Sequence, residues 1–296
     1  MDEMTKTEAA VNGILALFER YDIHATWATV GLLNNSNIEQ LETEKNDAPI
    51  PYAIKRYSPF PITSEKYGSF DPNLLFGRTE IRSILNQTNQ ELASHTYSHL
   101  YCCEDGISPV DFELDCQRMT ELGQELNQPF TSIVFPRNQV SEDALATLDQ
   151  EKYSAYRGNQ ENKYWKNSRF ENESFLKKVM RVLDAYYKVS KTSAYKIGEL
   201  KKTEALINIP ASRFFRPHSS KLWLEKRKIK RIKKEMLRAA KNETVYHLWW
   251  HPHNFTTHLQ ESLDQIEELL AYQLVLKAKF GLESLNMSEI AAYAKS

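Results

Sequence analysis

The sequence predicts an α/β fold built on a parallel sheet or barrel, and three observations carry that prediction. Short β-branched and aromatic runs alternate with segments of helical period. The runs are bounded by Gly, Pro, Asn or Asp, the residues that end strands. Histidine or arginine then follows directly after three of the runs, where an α/β sheet presents its strand ends to ligands.

Taken in order, "AAVNGILALFER" places Val11, Ile14, Leu15 and Phe18 on one face and predicts a helix over 9–20. After Asp22, "IHATWATVG" predicts a buried strand that ends at Gly31. Residues 34–77 mix Asn, Pro, Gly and Tyr without a period and read as a long loop or insertion, a class often functional or mobile. A helix over 78–88 and the short strand "ELASH" follow, then a helix over 111–126 and the buried strand "TSIVFP" at 131–136. Ser141 is the N-cap of a helix to Gln150, with Glu142 and Asp143 in its first turn.

"KYSAYRG" (152–158) predicts another strand, and residues 159–203 are polar and mostly helical before the short strand "EALINIPAS". Over 221–241 a basic helix carries Leu222, Trp223, Ile229, Ile232, Met236 and Leu237 as one stripe. Its cations read as a solvated face rather than a nucleic-acid arm, because acidic residues elsewhere balance them. "TVYHLWWHPHNF" (244–255) is a strand ending in a His-rich turn, and a helix over 263–279 follows. No repeat interrupts the pattern. One domain over 1–296 is expected, with the loop at about 34–77 and a helical, polar middle at about 159–243.

Composition narrows the function. Thirty-eight Lys and Arg against 39 Asp and Glu give no field that would steer the chain to nucleic acid or an anionic membrane. Fifteen Tyr, 13 Phe and five Trp supply a core and surfaces on which sugars stack. The first residues lack a basic n-region and an apolar h-region, and no apolar run is long enough to span a membrane, so a cytoplasmic chain is expected. Cys102, Cys103 and Cys116 lack paired CxxC spacing and suit reduced thiols packed as small hydrophobes.

The candidate chemistry sits at the strand ends: His95 and His99 after "ELAS", Arg137 after "SIVF", His251 and His253 after "HLWW". If the segment after "ELAS" curls into a helical turn, the i, i+4 pair His95 and His99 points one way and shares a zinc ion. Two histidines capping a loop by hydrogen bonds is the plainer alternative. A catalytic metal of this kind also needs a third protein ligand, normally a carboxylate.

In order, "HATWATVG", "ASHTYSH", "FPRN" and "LWWHPHN" resemble the segments of the NodB-type polysaccharide deacetylases, carbohydrate esterase family 4. The resemblance spans roughly 9–140 and 244–290 and is strongest to the subgroup associated with capsule or O-antigen synthesis. It implies a distorted (β/α) barrel binding one divalent metal, usually zinc. It also implies removal of N-acetyl groups from the amino sugars of a surface polysaccharide or its precursor. His95 and His99 match the two metal-binding histidines, Arg137 the arginine that orients the catalytic base, and His251 the histidine that protonates the leaving amine; His253 is the alternative acid. Rival readings are a carbohydrate-binding relative without catalysis and an esterase removing O-acetyl groups at the same metal.

One family segment has no counterpart. The strand whose aspartate pair supplies the base and third metal ligand should precede the helix at 9–20, where only "MDEMTKTE" stands. Asp2 or Glu3 would have to replace it, and a late start or truncation is the expected explanation. The barrel is therefore expected to be incomplete at its first strand, with "IHATWATV" beside an open seam covered by the 34–77 loop or a partner chain. The family's fourth motif is not recognisable in 159–220.

Overall fold

The computed structural model describes residues 3–47, 50–60, 76–160, 164–165, 174–190, 194–200, 202–203 and 206–296. Helix α1 (Glu3–Arg20) buries Ala10, Val11, Ile14, Leu15, Leu17 and Phe18, so it starts earlier than its apolar stripe predicts. It ends at Asp22, whose φ of 52° lets Ile23 N–H reach back to the Phe18 carbonyl at 2.9 Å. That reversal launches β1 (Ala25–Thr29).

Strands β2 (Gln90–Ser94), β3 (Ser132–Ile133), β4 (Ala155–Gly158) and β6 (Leu206–Pro210) continue a parallel sheet, and β5 (Lys202–Thr203) adds an antiparallel edge. The crossovers are helices, as a parallel sheet requires. They are α3 (Arg78–Leu85), α4 (Pro109–Glu125) and α5 (Glu142–Gln150). Ser108 and Asp111 form a capping box on α4 with Pro109 beside it, and Ser141 caps α5 by accepting from Ala144 N–H. Phe112, Cys116, Met119 and Leu122 of α4 pack on Leu92, Ile133 and Phe135, while α1 packs with Phe215, Ile232 and Ile266.

Strands β7 (Arg213–Phe214) and β8 (Leu248–Trp249) pair only with each other among the described residues. The α/β fold is therefore that of an open barrel. Among the described residues β1 pairs with β2 and has no second strand neighbour, which leaves a seam between β1 and β8. The seam is filled by Phe18 of α1, whose ring meets Trp27 of β1 at 5.9 Å and Trp250, just after β8, at 6.1 Å. The described residues of the 34–77 segment do not cover it. That segment carries α2 (Ile38–Asp47) and packs Leu41 and Phe60 against Leu32 and Tyr97, beyond the end of β1. It is thus partly helical where a long loop or insertion is expected; residues 48–49 and 61–75 lie outside the described residues, as does Asp2.

The middle of the chain holds α6 (Phe175–Tyr186) and α7 (Leu222–Asn242) but also β5, β6 and β7. The α7 cations are not all solvated. Lys228 pairs with Glu225 at 2.5 Å, and Arg213, Arg231, Asp184 and Glu235 form a buried network. The chain closes with α8 (Leu259–Phe280), ended by Gly281 at φ 71°, and α9 (Met287–Lys295), a helix the sequence reading omits. Among the described residues no helix is long and apolar enough to cross a membrane.

Candidate active site

The end of β2 carries the histidine pair. His95 N–H donates to the Thr29 carbonyl at 2.7 Å, and Val134 N–H to the Ser94 carbonyl at 2.9 Å, so β1 and β3 clamp the strand end from both sides. The pair does not form through a helical turn. Thr96 and His99 adopt left-handed φ values of 62° and 59°, and this irregular loop brings the rings to 5.0 Å at a tilt of 54°. Gly31 N–H donates to the Thr96 carbonyl, and a Cβ at Gly31 would lie 2.3 Å from the Tyr97 ring, so only glycine lets Tyr97 pack there.

His95 Nδ1 lies 2.6 Å from the Val134 carbonyl, which fixes the proton on Nδ1 and leaves the Nε2 lone pair free. Burial pushes His95 down to about 3, helped by His99, and pushes His99 down to about 4, helped by Arg137. Both rings are neutral near pH 7.

Arg137 sits in a turn where it and Asn138 have φ of 53° and 55°. Its guanidinium stands 4.4 Å over the Tyr101 ring and 5.5 Å over that of Tyr57, and Tyr101 in turn meets the His99 ring at 5.1 Å. Gln139 ties this turn to the loop after His99: its Oε1 accepts from Cys103 N–H at 3.1 Å, its carbonyl from Cys102, and its Nε2 donates to Glu104 at 2.6 Å. The three cysteines are free thiols.

From β8, His251 contributes its ring to the same group. Burial lowers it to about 4, followed by the fields of His253, Arg157 and His99. The His251 and His253 rings stack at 5.1 Å, and Trp249 meets His251 at 5.4 Å. His95, His99, Arg137 and His251, which come from three strand ends, thus stand within one electrostatic cluster.

The donor set suits a transition metal in part. A neutral imidazole anchored through Nδ1 to a backbone carbonyl is the usual geometry of a metal-binding histidine, and His99 stands beside it. Among the described residues, however, no group of three His, Cys, Asp or Glu side chains converges as a metal-binding set. No carboxylate contributes to the shifts of His95, His99 or His251.

Asp115, which is not among the candidate residues at the strand ends, organises the site from behind. Buried on α4, its carboxylate accepts from Tyr97 N–H at 2.5 Å, Ser98 N–H at 3.0 Å and Ser98 Oγ at 2.5 Å. These bonds hold the left-handed loop that turns His99 toward His95. Asp115→Ala removes the acceptor of three donors, two of them on buried Ser98, so a loss of about 2–4 kcal/mol in urea denaturation is expected. Asp115→Asn should lose less, because its one carbonyl oxygen still accepts. An Ala variant as stable as the parent would refute this role.

No family model matches the chain, and no curated protein matches it. Among solved structures, the chain is similar to a "putative polysaccharide deacetylase" from Mycobacterium smegmatis, with 13% identity, a TM-score of 0.56, and coverage of 98% of this chain and 78% of that one. A GH57-type branching enzyme from Pyrococcus horikoshii gives 10% identity and a TM-score of 0.45 over 96% and 63% of the two chains. The Xyl-CE4 domain of a multidomain xylanase from the hindgut metagenome of Trinervitermes trinervoides gives 14% and 0.32 over 84% of each. The mycobacterial protein shares the α/β fold described above.

Proposed function

We propose that the chain is a metal-dependent hydrolase that removes N-acetyl groups from amino sugars of a surface polysaccharide or its precursor. The observation that carries the reading is the neutral pair His95 and His99, 5.0 Å apart and anchored through Val134, with His251 beside it on a third strand end. Support also comes from the order of the sequence segments and from the fold shared with the mycobacterial protein.

His95 through Nε2, together with His99, would hold the divalent metal, most simply zinc. A bound zinc ion polarises an acetyl carbonyl and lowers the pKa of a water molecule. His251, neutral near pH 7, can take a proton at its free ring nitrogen and deliver it to the departing amine, serving first as base and then as acid. Arg137 brings a positive charge to the same strand ends, 4.4 Å over the Tyr101 ring. Tyr57 and Tyr101 line the His99 side of the cluster with aromatic surface.

A second reading, a sugar-binding relative without catalysis, is favoured by the lack of a carboxylate beside the imidazoles among the described residues. Acetate release by the zinc-loaded chain from N-acetylated and O-acetylated oligosaccharides separates the possibilities. Release from the N-acetylated sugar alone is the expected result. Release from the O-acetylated sugar alone makes the chain an esterase, and binding without release makes it a lectin-like relative.

A further inference from the structure

Arg157, the last charged residue of β4, is 8% exposed, and its burial lowers it to about 9. Its guanidinium lies 4.1 Å over the Trp249 ring and donates through Nη2 to Asn138 Oδ1 at 2.6 Å. Among the described residues no acidic residue contributes to its shift. The ionisable groups it influences are His95, His247 and His251, all neutral near pH 7. Two buried donors of this stack have no acceptor among the described residues, Arg157 Nε–H and Trp249 Nε1–H. Arg213, another buried arginine, is by contrast paired with Glu235 and Asp184.

A buried cation without a counter-charge is costly, and a buried donor without an acceptor adds to the cost. Both costs are relieved by one kind of ligand, an oxyanion placed between the guanidinium edge and the indole N–H. A guanidinium held flat by an aromatic ring presents its donors as a fixed fork, which suits a carboxylate or phosphate. Because Trp249 also touches His251, that anion would stand within one sugar unit of the imidazoles.

We propose that Arg157 and Trp249 form an anion subsite that selects acetylated amino sugars carrying a carboxylate or phosphate. The proposal rests on the reading of the strand-end cluster as a sugar site. It predicts selection for charged sugars, whatever the rate of acetyl removal.

Titration calorimetry of the full chain tests it, with N-acetylglucosamine, N-acetylglucosaminuronic acid, N-acetylglucosamine 6-phosphate, sodium acetate and inorganic phosphate as probes. At least one charged sugar should bind roughly 10- to 100-fold more tightly than the neutral sugar, the range for charge-assisted hydrogen bonds. The preferred sugar identifies the anion as carboxylate or phosphate. In Arg157→Gln the ratio of charged to neutral affinity should fall to about one, with Arg157→Lys between the two. Because the readout is a ratio, a general weakening of the variant does not imitate the effect, and the wild-type preference stands without any variant. Equal binding of charged and neutral sugars overturns the proposal, as does a preference that survives in Arg157→Gln. Free acetate or phosphate binding as tightly as the charged sugar overturns it too, since the site would then hold free ions. Acetate release from neutral N-acetylated sugar with no charged preference would refute this inference and leave the deacetylase reading intact.

Discussion

Replacing His99 with alanine is expected to strip zinc from the protein and to lower acetate release by more than about 100-fold. Loss of an outer partner of a metal-binding histidine already costs 10–100-fold in affinity or activity, and loss of the ligand itself costs more. The chain offers few substitutes. No group of three potential ligands converges among the described residues, and the His95 ring cannot turn away without breaking its 2.6 Å bond to the Val134 carbonyl. His95→Ala should behave in the same way. His258→Ala is the control, because its ring lies against His218 at 5.0 Å, outside the cluster. Metal content by mass spectrometry of the dialysed protein, read beside acetate release, checks both effects. Zinc content unchanged in His99→Ala would remove His99 from the metal site, and with it the reading of the strand-end cluster as a metallohydrolase centre.

The histidines were legible because their signal is local: an apolar run, small residues and two imidazoles four apart. The mechanism inferred for their meeting was not legible, since a helical turn and a left-handed loop both satisfy that spacing. What selects the loop is Asp115, distant in sequence. A local clue existed, because Asp115 falls among Phe112, Cys116, Met119 and Leu122 on the apolar face of α4, where an acid must find donors. Arg157 carried a similar clue, a charge at the end of an apolar strand beside a glycine.

The strands at 131–136 and 244–255 came out longer in sequence than in the sheet for a related reason. Val134 and Phe135 are buried by packing, not by ladder bonds with β4, so hydrophobicity outlasts pairing. Helix α9 is short, yet Asn286 and Glu289 make the capping box that marks its start. The seam could not be read locally at all, since it depends on Phe18, Trp27 and Trp250, which only the tertiary fold brings together.

Phe18→Ala should cost about 3–5 kcal/mol, the range for removing a buried aromatic side chain. Phe18 is 3% exposed, and its ring is the edge-to-face partner of both Trp27 and Trp250, at 64° and 65°. Elsewhere in the sheet, backbone ladders tie neighbouring strands, but between β1 and β8 side-chain packing takes their place. The collapse that usually limits cavity formation is restricted here, because Trp27 lies in β1 and Trp250 just after β8, and both are also held by other contacts, Trp27 Nε1 by Gln90 at 2.9 Å and Trp250 by Phe215. Urea denaturation should show the loss, with Phe18→Leu retaining most of the stability because it refills much of the volume. The functional consequence follows from position. Trp250 precedes His251, so loosening it shifts the β8 end against the β2 end that carries His95 and His99. Acetate release should therefore fall in Phe18→Ala under conditions where the protein is still folded, while zinc retention, which depends on the β2 loop alone, stays close to the parent value. Stability within about 1 kcal/mol of the parent, well below the aromatic-to-alanine range, would show that the seam is closed by something other than Phe18.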